Sequence, residues 1–408
     1  MSEAPLPPLP PGAVILQVLP ALNVAGGVER GTLEMAEAIV AAGGRALVAS
    51  SGGPRVAELE ALGARHIIMP LDTKTPWGIW RNARALARLI AAENVALVHA
   101  RSRAPAIAAL WAARRQGVKC VTTYHGAYSE NFPGKRFYNS VMARGDRVIA
   151  ISHFVAGLIR ARHGVPPERL RIIPRGVDPR RFDPARVPPE APAALRARLG
   201  IPEDMTVLLL PGRLRAWKGG GVALAALAQL DRPGVGLLFV GGGAEERFGR
   251  HLAAEAARLG LGGRVWFAGA IADMPAAFAL AEVVLAPSLA PEAFGRTVIE
   301  AQAMGRVVIA SAHGGAAETI EDGRTGFLVP PGEAEALAAA IARVLDLGPE
   351  GRAALGQAAR KAVLARYTTR ALQAATLAVY RELLIPDQGR LSEAEAAGGG
   401  GMDARGES

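Results

Sequence analysis

Thirteen short apolar runs, separated by stretches rich in Ala, Leu and Arg, constrain this chain more than any other feature. Seven stand in the first half: VILQVLP (14–20), ALVAS (46–50), HIIMP (66–70), ALVHA (96–100), VKCVTTY (118–124), RVIAIS (147–152) and RIIP (171–174). Six follow: MTVLLLPG (205–212), GVGLLFVGGG (234–243), RVWFAG (264–269), EVVLAPS (282–288), RVVIA (306–310) and GFLV (326–329). The runs read as strands and the stretches between them as helices, an alternation that predicts parallel sheets covered by helices on both faces. Between the two series, prolines at 174, 179, 184, 188, 189, 192 and 202 preclude a long regular element.

The expected organisation is a disordered leader (1–12), a doubly wound α/β domain (13–174), a linker (175–204) and a second doubly wound domain (205–366). A helix at 367–386 is expected to cross back to the first domain, followed by a disordered Gly-rich tail at 387–408. No apolar stretch reaches the roughly 18 residues needed to span a bilayer. The start MSEAPLPPLPPG lacks the basic region, apolar core and cleavage site of a secretory signal, so a cytoplasmic location is expected. Cys120 is the single cysteine, which excludes an internal disulfide and a multi-cysteine zinc cage, and its apolar neighbours suggest a buried core residue.

The net charge of +10 is unevenly placed. Residues 1–190 hold 25 Lys+Arg against 14 Asp+Glu, or +11, leaving 22 against 23, or −1, for the rest. Such a basic half suits nucleic acid, anionic lipid or a phosphorylated substrate. With no RNA-binding motif or recognition-helix signature beside it, no nucleic-acid partner is expected.

Ligands of doubly wound sheets bind outside the carboxyl ends of strands, which directs attention to the strand-exit loops. PGRLRAWKGG (211–220) carries Arg213 and Lys218, two cations suited to a pyrophosphate leaving group or, alternatively, two solvated loop charges. Lys218 is one of only five lysines among 47 basic residues, so its place in a Gly-flanked loop is less expected by drift. FVGGGAEE (239–246) supplies flexible backbone, though a lone glycine cluster is more often a tight turn. In PEAFGRTVIEAQAMG (291–305), a helix starting near Phe294-Gly295 would aim free N–H groups and its positive dipole end at a phosphate. Glu292 and Glu300 flank that turn and can accept hydrogen bonds from sugar hydroxyls, unless they are ordinary helix carboxylates.

These segments resemble glycosyltransferase family 4, the retaining enzymes with the GT-B fold of two Rossmann-like domains facing across a cleft. The resemblance runs from Val14 to Leu384. It rests on PGRLRAWKG, EAFGRTVIE with AQAMGRVVIAS, GGAAE (314–318), DGRTGFLVPPG (322–332), IPRGVD (173–178) and AGGVER (25–30), specific together in order and spacing. It implies a nucleotide-diphosphate sugar donor on the second domain, a glycan or lipid-linked acceptor on the first, and transfer with retention and without a metal or other cofactor.

Carried onto this chain, Arg213 and Lys218 would stabilise the departing diphosphate, Glu300 would bind ribose, and Glu292 would contact the donor sugar. Phe294, Gly295, Arg296, Thr297 and Val298 would supply the turn touching sugar and phosphate. Gly26 and Gly27 would face donor phosphates, and His125 would stand near the sugar, although a strand-end histidine alone is more often structural. Arg101 and Arg103 are acceptor-side candidates, with solvated surface arginines the alternative. Arg175, where the family commonly has Asn, adds a further acceptor-side cation, and Ala293 stands where the family commonly has Pro. Ser152 reads as a cap of the next helix.

The stretch 76–93 places Trp77, Ile79, Trp80, Leu86, Leu89 and Ile90 among Arg81, Arg84 and Arg88. It reads as an interfacial helix on an anionic membrane or as a surface helix whose apolar stripe packs on its own sheet. Lys135, Arg136, Phe137 and Tyr138 form a second basic and aromatic patch. With the basic half, these point to peripheral membrane contact and to cell-envelope polysaccharide synthesis on a lipid-linked or lipopolysaccharide acceptor. Competing readings are a nucleotide-sugar epimerase of the same architecture and a non-enzymatic binder of anionic surfaces.

Overall fold

A computed structural model describes residues 5–23 and 26–385; residues 1–4 of the expected leader and the expected tail at 387–408 lie outside the described residues. Two compact units form, one from residues within 1–123, 140–148 and 373–408, the other from 124–139 and 149–372.

All thirteen expected strands are present. They are β1 (Val14–Val18), β2 (Arg45–Ser50), β3 (Arg65–Ile68), β4 (Val95–Ala100), β5 (Lys119–Tyr124), β6 (Arg147–Ala150) and β7 (Leu170–Ile172), then β8 (Thr206–Pro211), β9 (Val235–Val240), β10 (Val265–Phe267), β11 (Val283–Ala286), β12 (Val307–Ser311) and β13 (Phe327–Val329). A seven-stranded sheet runs β3-β2-β1-β4-β5-β6-β7 and a six-stranded sheet runs β10-β9-β8-β11-β12-β13. β1–β4 lie wholly in the first unit and β8–β13 wholly in the second. β1 and β9 are buried at every position, as strands covered by helices on both faces must be. Pairing is parallel, from Val14↔Arg45 to Val18↔Ala49 in the first sheet and from Val283↔Val307 to Ala286↔Ala310 in the second. Each order reverses once, between β1 and β4 and between β8 and β11, and at such a reversal the exit loops diverge and leave room for a ligand.

The leader departs from expectation. Leu9 is buried and its N–H donates to the Ala42 carbonyl at 3.0 Å, so the chain is fastened before β1 begins. Burying one leucine contributes about 2 kcal/mol, enough to offset the ordering of one or two residues. The proline-rich linker holds only a 3-10 turn at Pro184–Arg186 and a nine-residue helix at Glu190–Arg198. Cys120 is buried, and burial followed by the nearby Asp146 pushes its thiol up to about 12.

The first unit has a polar core that composition does not announce. His99 lies between the Tyr380 hydroxyl, 2.6 Å from Nδ1, and the Thr123 hydroxyl, 2.7 Å from Nε2. Burial, then the Arg101 charge, holds its pKa well below the usual 6.5, so the folded imidazole is neutral. The pH dependence follows. Folded His99 excludes a proton that the unfolded chain accepts, so its contribution to stability is complete above pH 6.5 and is lost as pH falls below that value. The expected slope from this one group is about 1.4 kcal/mol per pH unit, and a His99→Gln variant should lack that part of the slope in urea titrations between pH 7 and pH 5. Tyr380→Phe removes one partner of the ring and should cost ~1–3 kcal/mol at pH 7; an unchanged urea midpoint would show the bond to be idle.

Candidate donor site at the second switch point

β8 ends at Pro211, and the chain turns through Gly212 at φ 125° into the 3-10 turn Ala216–Lys218. Gly219 follows in the left-handed region at φ 77°, opening the helix Gly220–Gln229. A Cβ on Gly219 would lie 1.8 Å from the Pro287 carbonyl oxygen, so glycine is what lets this loop press against the loop leaving β11. The Leu289 N–H donates to the Trp217 carbonyl at 2.7 Å and fixes the two loops to each other.

This contact sets the central feature. Lys218 Nζ lies 2.9 Å from Glu292 Oε1, and the Ser288 hydroxyl donates to the same oxygen at 2.6 Å. The Lys218 and Glu292 side chains are only 16% and 11% exposed. His313 Nε2 donates to the Ser288 carbonyl at 2.7 Å, and the Gly315 N–H donates to the Glu292 carbonyl at 2.8 Å. The Lys218 ammonium also stands 4.8 Å from the centroid of the Trp217 ring.

The helix expected near Phe294-Gly295 runs Arg296–Ala303, with Gly295 left-handed at φ 86° in its cap position. No side-chain hydrogen bond caps it, and in its first turn the Val298 N–H donates to the Gly295 carbonyl at 3.1 Å. A Cβ on Gly295 would come 2.7 Å from the Ala316 Cβ. Phe294 and Val298 are buried, and Phe294 meets Tyr367 edge-on at 5.8 Å. Thr297 is partly exposed. Arg296 Nη2 lies 3.7 Å from Glu300 Oε1, one helical turn on. Both carboxylates that frame the turn therefore have a basic neighbour. The loop is held from its other side as well: Ser152 caps the helix His153–His163, as expected, by accepting from the Val155 N–H at 3.0 Å, and its hydroxyl donates to the Ala293 carbonyl at 2.6 Å.

The remaining candidates divide. Arg213 is exposed, and among the described residues no ion pair is formed by its guanidinium. His125 directly follows β5 and is partly buried in the same unit as Lys218 and Glu292. Gly26, Gly27, Arg101 and Arg103 belong to the first unit, at the exits of β1 and β4 where that sheet reverses. Gly26 precedes the helix Gly27–Ala41 in an extended conformation, and Arg103 opens the helix Arg103–Arg115, partly exposed.

Two arginines are not the surface cations that a strand-exit position suggests. Arg101 is 2% exposed, with Nη1 donating to Gln17 Oε1 at 2.9 Å beside His99. Burial lowers its pKa, with Tyr380 and then Glu34 opposing the shift, so its charge serves the interior of the unit. Arg175 is 4% exposed and equally removed from solvent. Ser288 and Glu318 are what sequence reasoning missed. Ser288 stands four residues before Glu292, a spacing that by itself signals nothing outside a helix. Glu318, quoted only as the end of GGAAE, accepts from the His153 and Phe154 N–H groups at 2.9 and 2.5 Å, anchoring a helix N-terminus.

Among the described residues no group of three or more His, Cys, Asp or Glu is placed to hold a metal ion, and no helix is long and apolar enough to cross a membrane.

Comparison with known proteins bears on the family and the fold. The profile described as Glycosyltransferase Family 4 matches residues 25–181, and that described as Glycosyl transferases group 1 matches residues 193–362. A glycosyltransferase from Rickettsia africae ESF-5 superposes with a TM-score of 0.85 at 35% identity, covering 92% of this chain and all of that one. Anabaena HepE in complex with UDP and glucose superposes with a TM-score of 0.78 at 26% identity, covering 90% of this chain and 99% of that one. The D-inositol 3-phosphate glycosyltransferase of Segniliparus rotundus is 34% identical over 276 residues, 65% of this chain and 59% of that protein. The chain thus spans about six tenths of the length of the curated relatives it matches. Two parallel-sheet units and two matching profiles in the same order place the chain in glycosyltransferase family 4, with the GT-B fold.

Proposed function

We propose that this chain is a retaining glycosyltransferase that moves a sugar from a nucleotide-diphosphate donor to a glycan or lipid-linked acceptor without a metal ion. One observation carries the reading: Lys218 and Glu292, paired at 2.9 Å, stand at the switch point of the second sheet, and the uncapped helix beginning at Arg296 leaves the same loop. Breaking a sugar–diphosphate bond builds negative charge on the leaving oxygens. A fixed ammonium, the exposed Arg213 guanidinium and helix N–H groups are the charges that lower such a barrier. Glu292, held by Lys218 and Ser288, is the donor-sugar contact, and Glu300 is the ribose contact. The leaving phosphate itself takes the acceptor proton, so the scheme needs no protein base.

HepE, whose complexes contain UDP, glucose and UDP-glucose, supports a uridine nucleotide as the first donor to try. The acceptor reading, a cell-envelope glycan or lipid-linked sugar met at the cytoplasmic face of a membrane, rests on the basic first half of the chain. None of the relatives named above is an isomerase.

The test is a melting-temperature screen against UDP-, GDP- and ADP-sugars with chelator present throughout. The matching donor at 100 times its Kd should stabilise the protein by about 2.7 kcal/mol. Transfer from that donor should then give a product of unchanged anomeric configuration by NMR. An inverted product would refute retention, and a response to no nucleotide-sugar would refute the donor site. Donor incubated alone should yield no epimer.

A further inference from the structure

The helix Pro76–Ala92 settles the choice between core packing and exposure by doing both. Thr75 caps it, accepting from the Gly78 N–H at 3.2 Å, with Pro76 in the first turn. Asn82, Ala83, Leu86, Ala87 and Ile90 form its buried face. Its first two turns instead present Trp77, 64% exposed, and Trp80, 43% exposed, stacked on each other with ring centroids 4.7 Å apart. Ile68, at the end of β3, is 79% exposed, and Trp111, on the adjoining helix Arg103–Arg115, is 42% exposed. Leaving that much indole and aliphatic surface in water is unfavourable by roughly 25 cal/mol per Å². Three of the chain's five tryptophans stand here.

The charge on this face is of one sign. The helices Pro76–Ala92 and Arg103–Arg115 contain six arginines and no Asp, Glu or Lys. Arg81, Arg84, Arg88 and Arg115 are exposed, and among the described residues none of the four forms an ion pair. The Arg84 guanidinium lies 4.7 Å from the Trp80 ring centroid and that of Arg115 lies 5.7 Å from the Trp111 centroid. Trp80, Arg84, Arg88, Trp111 and Arg115 line one crevice of about 450 Å³ between the two helices. Its size and its guanidinium-on-indole walls fit a phosphate-bearing headgroup.

We infer that this face of the first unit is a docking surface for an anionic phospholipid bilayer, with Trp77, Trp80 and Ile68 entering the headgroup region and the four arginines meeting lipid phosphates. Indole rings favour the depth where one edge is apolar and the other wet, and each arginine at an anionic surface contributes about 1 kcal/mol. Because the buried stripe holds the helix to its own domain, the surface docks as a rigid face and no segment has to peel away. No residue of it belongs to the donor site, so the inference stands whatever sugar or acceptor the second unit serves.

The test is co-sedimentation of the full chain with vesicles of phosphatidylcholine alone or mixed with phosphatidylglycerol. Binding to the mixed vesicles should be strong, should weaken steeply with salt, and should shift tryptophan emission to the blue. The triple variant Arg81→Gln, Arg84→Gln, Arg88→Gln should bind about 100-fold more weakly. The variant Trp77→Ser, Trp80→Ser should lose the blue shift and most of the binding. All five substitutions are at exposed positions, and retained melting temperatures would show both variants folded. Equal binding to neutral vesicles, full binding by either folded variant, or a preference for duplex DNA over mixed vesicles would each overturn the inference. So would concentration-dependent dimerisation that buries the same tryptophans without lipid.

Discussion

Lys218→Ala should lower kcat by about 10²–10³-fold, the loss seen when one fixed donor to a developing anion is removed. It should also lower the melting temperature, because it leaves the Glu292 carboxylate, 11% exposed, with Ser288 as its remaining side-chain partner. The two effects have different causes and separate in a double variant. Glu292→Gln removes the stranded charge, so Lys218→Ala combined with Glu292→Gln should recover most of the lost stability and none of the lost turnover. If Lys218 acts only by positioning Glu292, the double variant should be no slower than Glu292→Gln alone. If the ammonium neutralises the leaving diphosphate, the double variant should be slower than Glu292→Gln by a further one to two orders of magnitude. A Lys218→Ala enzyme within about threefold of the parent kcat would end the leaving-group role assigned to it.

The extent to which the sequence discloses this arrangement follows from what each residue needs. Strands buried on both faces must be apolar at nearly every position, and that is why β8 and β11 are visible as the runs VLLLP and VVLA, whereas the less buried β3, β7 and β10 show as short runs rich in Ile, Val, Phe and Trp. The Gly295 turn is legible for a similar reason, since a left-handed residue ahead of a helix favours glycine. The pairing of Lys218 with Glu292 is not legible, because 74 residues separate them and only the order of β8 and β11 in the sheet brings their exit loops together. The burial of Arg101 and Arg175 is not legible because arginine is rarely buried, and nothing adjacent to either in sequence shows the polar interior that receives Arg101. For Pro76–Ala92 the pattern leaves two alternatives open, packing on the sheet or exposure, because which tryptophans stay outside depends on where Arg103–Arg115 packs against it.

The position with the least tolerance is Gly219. At φ 77° any L side chain adds about 1–2 kcal/mol of backbone strain. Alanine there also places its Cβ 1.8 Å from the Pro287 carbonyl oxygen, a backbone atom that cannot rotate out of the way. Reaching van der Waals distance means moving one loop by more than an ångström. That displacement breaks the 2.7 Å bond from the Leu289 N–H to the Trp217 carbonyl and carries Ser288 and Glu292 away from Lys218. Gly219→Ala should therefore cost ~2–4 kcal/mol and, because a 1 Å misplacement of catalytic groups costs about 100-fold, should reduce kcat nearly as much as deleting the lysine does. Gly221 supplies the control. It lies two residues later, in the helix Gly220–Gln229, and a Cβ there meets nothing within 4 Å. Gly221→Ala should raise stability by about 0.4–1 kcal/mol and leave turnover intact. If Gly219→Ala turned over donor at the parent rate, the loops leaving β8 and β11 would not need their close approach, and the paired Lys218 and Glu292 would lose their claim to be the reaction centre.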